Sequence, residues 1–348
     1  MRFERQGNRP SRDSTYAEDW RGACQGFPYE GEKGQLPLPG AVPKSDILAS
    51  SRGCHEPGVD EVHLTQRSMR QLSYALVLGL ILAGCQSKQM PAAAPQPPAS
   101  VTIRASDFAF DAPAEIPAGV TTFHLVNDGP GLHHALIVRL DSGKTVADLV
   151  ASLHTQGAMP AWARYVGGPN VPDSGKESIA TLDLEPGNYA MLCILDMPGG
   201  VPHYTRGMSR ALTVTAAAAT TSATPKAVAP TPDNAIVLSD MVFALNKPIT
   251  AGTHTFQVTT APGQPHEVLV VQLDPGKTGQ DYVNWAQSMK GPAPGHAIGG
   301  TAAAATGVVQ VFTATFVPGD YLLICLVPDV KTGKPHFVEG MMQTVRVS

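Results

Sequence analysis

Residues 101–348 can be laid on themselves with a shift of 133 positions, and this duplication restricts the fold more than any other feature of the 348-residue chain. Ser106-Asp107 falls on Ser239-Asp240, Ile116-x-Ala118-Gly119 on Ile249-x-Ala251-Gly252, and Leu140-Asp141-x-Gly143-Lys144-Thr145 on Leu273-Asp274-x-Gly276-Lys277-Thr278. Pro186-Gly187-x-Tyr189 meets Pro318-Gly319-x-Tyr321 after a one-residue slip. Between the copies, Ala216 to Asn234 is a low-complexity Pro/Ala/Thr stretch with the composition of a linker. The chain therefore reads as two domains of one fold, about 101–215 and 235–348.

Each copy reads as short strands between Gly/Pro turns, in keeping with 34 Gly, 31 Pro and only 16% charged residues. In Thr121 to Val126, Phe123 and Leu125 share one face, and Phe256 and Val258 keep the same phase in the second copy. Further strands are expected at His134 to Leu140, Ser178 to Leu184, Asn188 to Ile194 and Arg210 to Thr215. Helical spacing occurs at Thr145 to His154 and again at Gly279 to Met289. The expected class is all-β: two tandem Greek-key β-sandwiches, each with one short inserted helix. A net charge of −4, with no basic patch, leaves no nucleic-acid footprint.

The residues able to carry chemistry repeat with the fold. His133, Cys193, His203 and Met208 in the first copy correspond to His266, Cys325, His336 and Met341 in the second; three pairs differ by 133 and the cysteines by 132. A lone buried Cys is most often a small hydrophobe. One that recurs with the same two His and the same Met is a ligand candidate, and two imidazoles, a thiolate and a weak thioether are the donors of a type 1 copper site. His134 aligns with Glu267 and is expected to be a solvated strand residue, and His154, His254 and His296 lack counterparts and are expected at the surface. Trp162 and Trp285 read as packing anchors in the inserted regions.

These residues resemble the cupredoxin family. Val126-Asn127 to His133 is similar to the loop that presents the family's first His. Gly187-x-Tyr189-x-x-x-Cys193 followed by Pro202-His203-x-x-x-Gly207-Met208 looks like its closing ligand loop, and Tyr321-x-x-x-Cys325 to Gly340-Met341 repeats it. The Cys-to-His interval, Cys-x9-His and Cys-x10-His, is longer than in the small members and near that of the copper nitrite reductases. The resemblance implies one copper per domain, up to two per chain, and a single-electron carrier that meets a redox partner protein. Two-domain copper enzymes place His beside the type 1 Cys and supply paired His for a catalytic copper. Here the neighbours are Leu192 and Ile194, or Ile324 and Leu326, and no His-x-His occurs, which argues against an enzyme. A metal-free binding or structural sandwich and copper storage or delivery remain as alternatives. The uncharged run Met197 to Pro202 before His203, against Asp329, Lys331 and Lys334 before His336, marks the first site as the one expected to meet the partner.

Met69-Arg70-Gln71 leads into a 13-residue apolar run, Leu72 to Gly84, too short to span a bilayer but long enough for a signal-peptide core. The run ends in Leu82-Ala83-Gly84-Cys85, which resembles a bacterial lipobox. That resemblance implies a signal peptide at 69–84, a lipid on Cys85, a Pro/Ala tether at 85–100 and, with Gln86 following, anchorage to the outer membrane facing the periplasm. Residues 1–68 show no apolar periodicity and read as a non-native or disordered leader, with translation starting at Met69 and no role for Cys24, Cys54, His55 or His63.

Overall fold

The computed structural model describes residues 96–216 and 227–348, so the leader, the signal segment, Cys85 and part of the linker lie outside the described residues. The first repeat contains β1 (Ala99–Ser106), β2 (Ala109–Asp111), β3 (Glu115–Pro117), β4 (Gly119–Asn127), β5 (Leu136–Leu140), β6 (Ala163–Gly167), β7 (Glu177–Leu184), β8 (Gly187–Leu192), β9 (Asp196–Met197), β10 (Val201–Pro202) and β11 (Ser209–Thr215). The second contains β12 (Asn234–Ser239), β13 (Val242–Leu245), β14 (Gly252–Thr260), β15 (His266–Leu273), β16 (Gly295–Ala304), β17 (Val309–Phe316), β18 (Gly319–Ile324) and β19 (Met342–Val347). Helices α1 (Val146–Gln156) and α2 (Gly279–Ser288) stand at equivalent places. β1 begins at Ala99, inside the stretch expected to be tether, and Gln96 bridges Ala227.

Period-two patterning explains the sandwich. Phe123 and Leu125 of β4, with Val101 and Ile103 of β1 and Leu182 of β7, point into the first core; Phe256, Val258, Ile236 and Phe312 do the same in the second. Each fully buried Phe contributes about 1.5–3 kcal/mol relative to an exposed one. The repeated Leu-Asp-x-Gly-Lys-Thr motif is a turn followed by a helix N-cap. Thr145 Oγ1 accepts from Asp148 N while Thr145 N donates back to the Asp148 carboxylate, and Thr278 and Asp281 repeat this capping box.

The two repeats are joined edge to edge. One sheet runs β13-β12-β14-β17-β7-β4-β1-β2 and the other β19-β18-β15-β16-β6-β5-β8-β11-β3, so both cross the repeat boundary. At the crossing the pairing is reciprocal: Phe312 faces its equivalent Ala180, Val311 faces Thr181 while Thr313 faces Ile179, and Thr301 bridges its equivalent Pro169. Asn170 N–H donates to Gly300 O at 3.2 Å and Ala302 N–H to Gly168 O at 2.7 Å. This reciprocity is that of a pseudo-two-fold axis. Glycine is required at its centre, because a Cβ on Gly168 would lie 2.0 Å from Ala135 O and one on Gly300 2.0 Å from Val268 O, both at positive φ.

Candidate metal centres

His133 sits in the loop between β4 and β5, and a buried asparagine shapes that loop. Asn127 Nδ2 donates to Gly131 O at 2.8 Å and to Pro172 O at 3.1 Å, while its Oδ1 accepts from Gly129 N. Cys193 follows β8 directly. The chain then returns so that His203 N–H donates to Leu195 O, Tyr204 N–H to Cys193 O, and Cys193 N–H to Met208 O. In the second repeat the same three bonds join His336 to Val327, Phe337 to Cys325, and Cys325 to Met341. The extra residue of the second loop is absorbed in a turn organised by Asp329, whose carboxylate accepts from Gln264 Nε2, Lys331 N and Thr332 N. Asp329 is therefore turned inward, at 8% exposure, and the charge on this rim is that of Lys331 and Lys334.

The folding of these loops brings His133, Cys193 and His203 together, and likewise His266, Cys325 and His336, with all ligand atoms of each group within 4.8 Å of one another. Both imidazoles of each pair present Nδ1 to the centre: 3.2 Å separates His133 from His203 and 3.1 Å separates His266 from His336. Sγ of Cys193 lies 3.4 Å from His203 Nδ1, and Sγ of Cys325 lies 3.3 Å from His336 Nδ1. Trigonal binding at about 2.0 Å from each nitrogen would set them about 3.5 Å apart, so the cluster needs to open by only a few tenths of an ångström. Met208 and Met341 are fully buried in the clusters that hold their cysteines.

Burial dominates the electrostatics. It pushes the Cys193 thiol up to about 12, against backbone hydrogen bonds to the sulfur from His134 and Leu195, and it raises Cys325 likewise. Burial, reinforced by His133, lowers His203 to about 4, and His266 and His336 are also lowered by burial. A pocket that disfavours the charged form of His203, His266 and His336 and excludes water from a thiol suits a soft cation, which takes neutral imidazole and draws the thiolate out of the thiol. The donor set fits copper, one ion per repeat and two per chain.

Several residues around these groups were not assigned from sequence. Asp107 Oδ1 lies 2.7 Å from His133 Nε2, and Asp240 Oδ1 lies 3.3 Å from His266 Nε2, so each carboxylate orients the imidazole whose other nitrogen faces the centre. The signal was present in the repeated Ser-Asp pair, which lies at the same offset from the repeated His in both copies. The expectation that His134 is solvated is corrected: it is 1% exposed, lies 3.6 Å through Nδ1 from Cys193 Sγ, and is lowered to about 3 by burial and the neighbouring His203 and His133. His134 stands beside Cys193 and the two ligand imidazoles of its own repeat, a contact between distant segments that no periodicity reveals. Its counterpart Glu267 is buried too, and burial raises it to about 7 against hydrogen bonds from Leu326 N–H and the Asn170 side chain. His154 and His296 are exposed and His254 is half-buried, with His254 and His296 paired to Asp233 and Asp173.

No protein-family model and no curated protein matches the chain. Among solved structures it is similar to the dithionite-reduced auracyanin of the photosynthetic bacterium Roseiflexus castenholzii, at 21% identity and a TM-score of 0.25 over 34% of this chain and 99% of that one. Auracyanin A, a "blue" copper protein of Chloroflexus aurantiacus, gives the same values. The copper nitrite reductase of Nitrosomonas europaea is similar at 12% identity and a TM-score of 0.21, over 72% of this chain and 93% of that one. In the chain's own geometry, each repeat contributes strands to two packed sheets, and two of its loops gather a buried His-Cys-His group with the donors of a copper site.

Proposed function

We propose that this chain is a two-centre copper protein that carries single electrons in the cell envelope, held at the outer membrane by a lipid on Cys85. The observation that carries the reading is the pair of buried His-Cys-His groups. Bound copper would supply a one-electron couple, and the chain's residues would hold it in a geometry acceptable to both oxidation states. His133, Cys193 and His203 would hold one ion and His266, Cys325 and His336 the other, with the buried thioethers of Met208 and Met341 as weaker donors. Asp107 and Asp240 orient the first imidazole of each set, and the backbone N–H groups aimed at each sulfur steady the thiolate.

A two-domain copper enzyme, of the kind represented by the nitrite reductase above, is the reading these residues favour least. The side chains flanking the cysteines are aliphatic and packed: Leu192 and Ile324 are fully buried, and Ile194 and Leu326 pack against buried clusters. Among the described residues no third His-rich cluster accompanies the two groups.

Titration of the full chain with Cu(II) tests the proposal: an intense visible thiolate band should grow to two equivalents. Cys193→Ser and Cys325→Ser should each remove about one equivalent, and the double variant all of the band. A double variant that keeps both coppers and an unchanged spectrum would overturn the assignment. Cys85→Ala should leave unprocessed precursor without acyl chains, as read by mass spectrometry. Among the described residues no helix is long and apolar enough to cross a membrane.

A further inference from the structure

The two sulfur atoms are connected through the sheet that the repeats share. His134 Nδ1 lies 3.6 Å from Cys193 Sγ, and at the equivalent place Glu267 Oε1 accepts at 3.0 Å from the N–H of Leu326, which is bonded to Cys325. One residue on, Ala135 N–H donates to Pro169 O at 3.1 Å. Asn170, bonded to Pro169, crosses the repeat boundary: its Nδ2 donates to Val268 O at 3.3 Å and to Thr301 O at 3.1 Å. Val268 is bonded to Glu267, which closes the path. From sulfur to sulfur, all steps are covalent except four hydrogen bonds: His134 to Cys193, Ala135 to Pro169, Asn170 to Val268, and Leu326 to Glu267. In the shared sheet β8 and β18, which lead into the two cysteines, stand five places apart, about 24 Å across.

The surroundings are those of an insulated conductor rather than a wet cleft. Ala135, Val268, Asn170 and Thr301 are each at most 1% exposed, and Leu132, Leu195 and Val171 of the first repeat pack into the cluster beneath α2 of the second. Asn170 has no Asn counterpart, since the slip of 132 places Ala302 at its position in the second copy. Sheet pairing at the axis is supplied by the reciprocal backbone bonds of Asn170 and Ala302, so the Asn170 side chain adds a link that the symmetry does not require. The two ends differ in access as well. His203 is 5% exposed, whereas His336 is wholly buried and its Nε2 finds no partner among the described residues.

Building on the copper reading above, we infer that the two centres exchange electrons within one chain, along this path and through the Asn170 side chain, with the first centre as the entry. The step is balanced without a proton. One electron would pass from a reduced first centre to an oxidised second one, so that the electron the first loses is the electron the second gains. The entering electron comes from an external one-electron reductant at His203.

Rapid-mixing reduction of the two-copper protein by a small one-electron reductant such as ferrocyanide tests the relay. Loss of the thiolate absorption of the second centre should show a first-order phase whose rate is independent of both protein and reductant concentration. In Cys193→Ser, which leaves the second centre intact, that phase should vanish and reduction of the second centre should become bimolecular and at least tenfold slower. Asn170→Leu should slow the first-order phase at least tenfold while band positions, copper content and both reduction potentials stay in place; Asn170→Ser provides the same comparison with less disturbance of packing. Reduction of the second centre at an unchanged bimolecular rate in Cys193→Ser would overturn the relay. An unchanged first-order rate in both Asn170 variants would overturn the path. Absence of any thiolate band would instead overturn the copper reading, and the relay with it.

Discussion

Asp107 and Asp240 do the same task to different degrees, and the difference gives the two centres different characters. Asp107 holds His133 at 2.7 Å and is itself about one-third exposed, whereas Asp240 lies 3.3 Å from His266 and is nearly two-thirds exposed. A carboxylate accepting the Nε2–H makes the opposite nitrogen a stronger donor, which favours the more highly charged oxidation state. Asp107→Asn should therefore raise the reduction potential of the first centre, and Asp240→Asn should raise that of the second by less. Spectroelectrochemical titration at the thiolate bands checks both, and a larger shift in the second centre would contradict the reading. Asn127 acts on the same imidazole from the backbone side, since its three hydrogen bonds set the loop that delivers His133.

The closing loops are the elements in which the copies diverge. In the first, β9 and β10 form a two-residue ladder, Met197 facing Val201 and Asp196 facing Pro202, that leaves Val201 39% exposed beside His203. In the second, the Asp329 turn stands in place of that ladder, with Lys331 and Lys334 on its rim and His336 sealed beneath. Apolar, weakly hydrated rims suit the brief, small-area contacts of electron-transfer encounters, while charged rims favour steering by a complementary partner. Val201→Lys should slow electron exchange with the native partner severalfold and leave the copper spectrum unchanged, as read by stopped-flow kinetics. If a charge reversal at Lys331 or Lys334 slows exchange instead, the second loop is the docking face. Asp329 also gives this loop a pH signature of known sign. Its carboxyl is held well below the usual carboxylate range, first by Gln264 and then by the Thr332 and Lys331 N–H groups. The clamp is complete above the ordinary Asp pKa of about 3.9 and is lost only as pH falls toward the lowered folded value.

At the scale of the whole molecule, the shared sheets make the repeats one cooperative body. The described residues cluster as one compact unit, and both sheets cross the boundary. Heating should therefore give one calorimetric transition for both repeats. Gly300→Ala, which would drive a Cβ into Val268 O at positive φ, should cost about 3 kcal/mol or more and lower that single transition as a whole. Two separated transitions, only one of them shifted, would show that the repeats fold independently. By itself the sequence determined the duplication, the all-β class, the phase of strands such as β4 and β14, and the two inserted helices, because these rest on local periodicity and on motifs that recur. It also nominated His133, Cys193 and His203 with their counterparts, through recurrence alone. Only the tertiary structure decided that these side chains meet Nδ1 to Nδ1, that Asp107 and Asp240 stand behind them, and that His134, Glu267 and Asn170 are buried. The contacts at the imidazoles join residues 26 and 70 positions apart within one repeat, and those of Asn170 join residues 98 and 131 positions apart across the axis, so no local pattern in the chain records them.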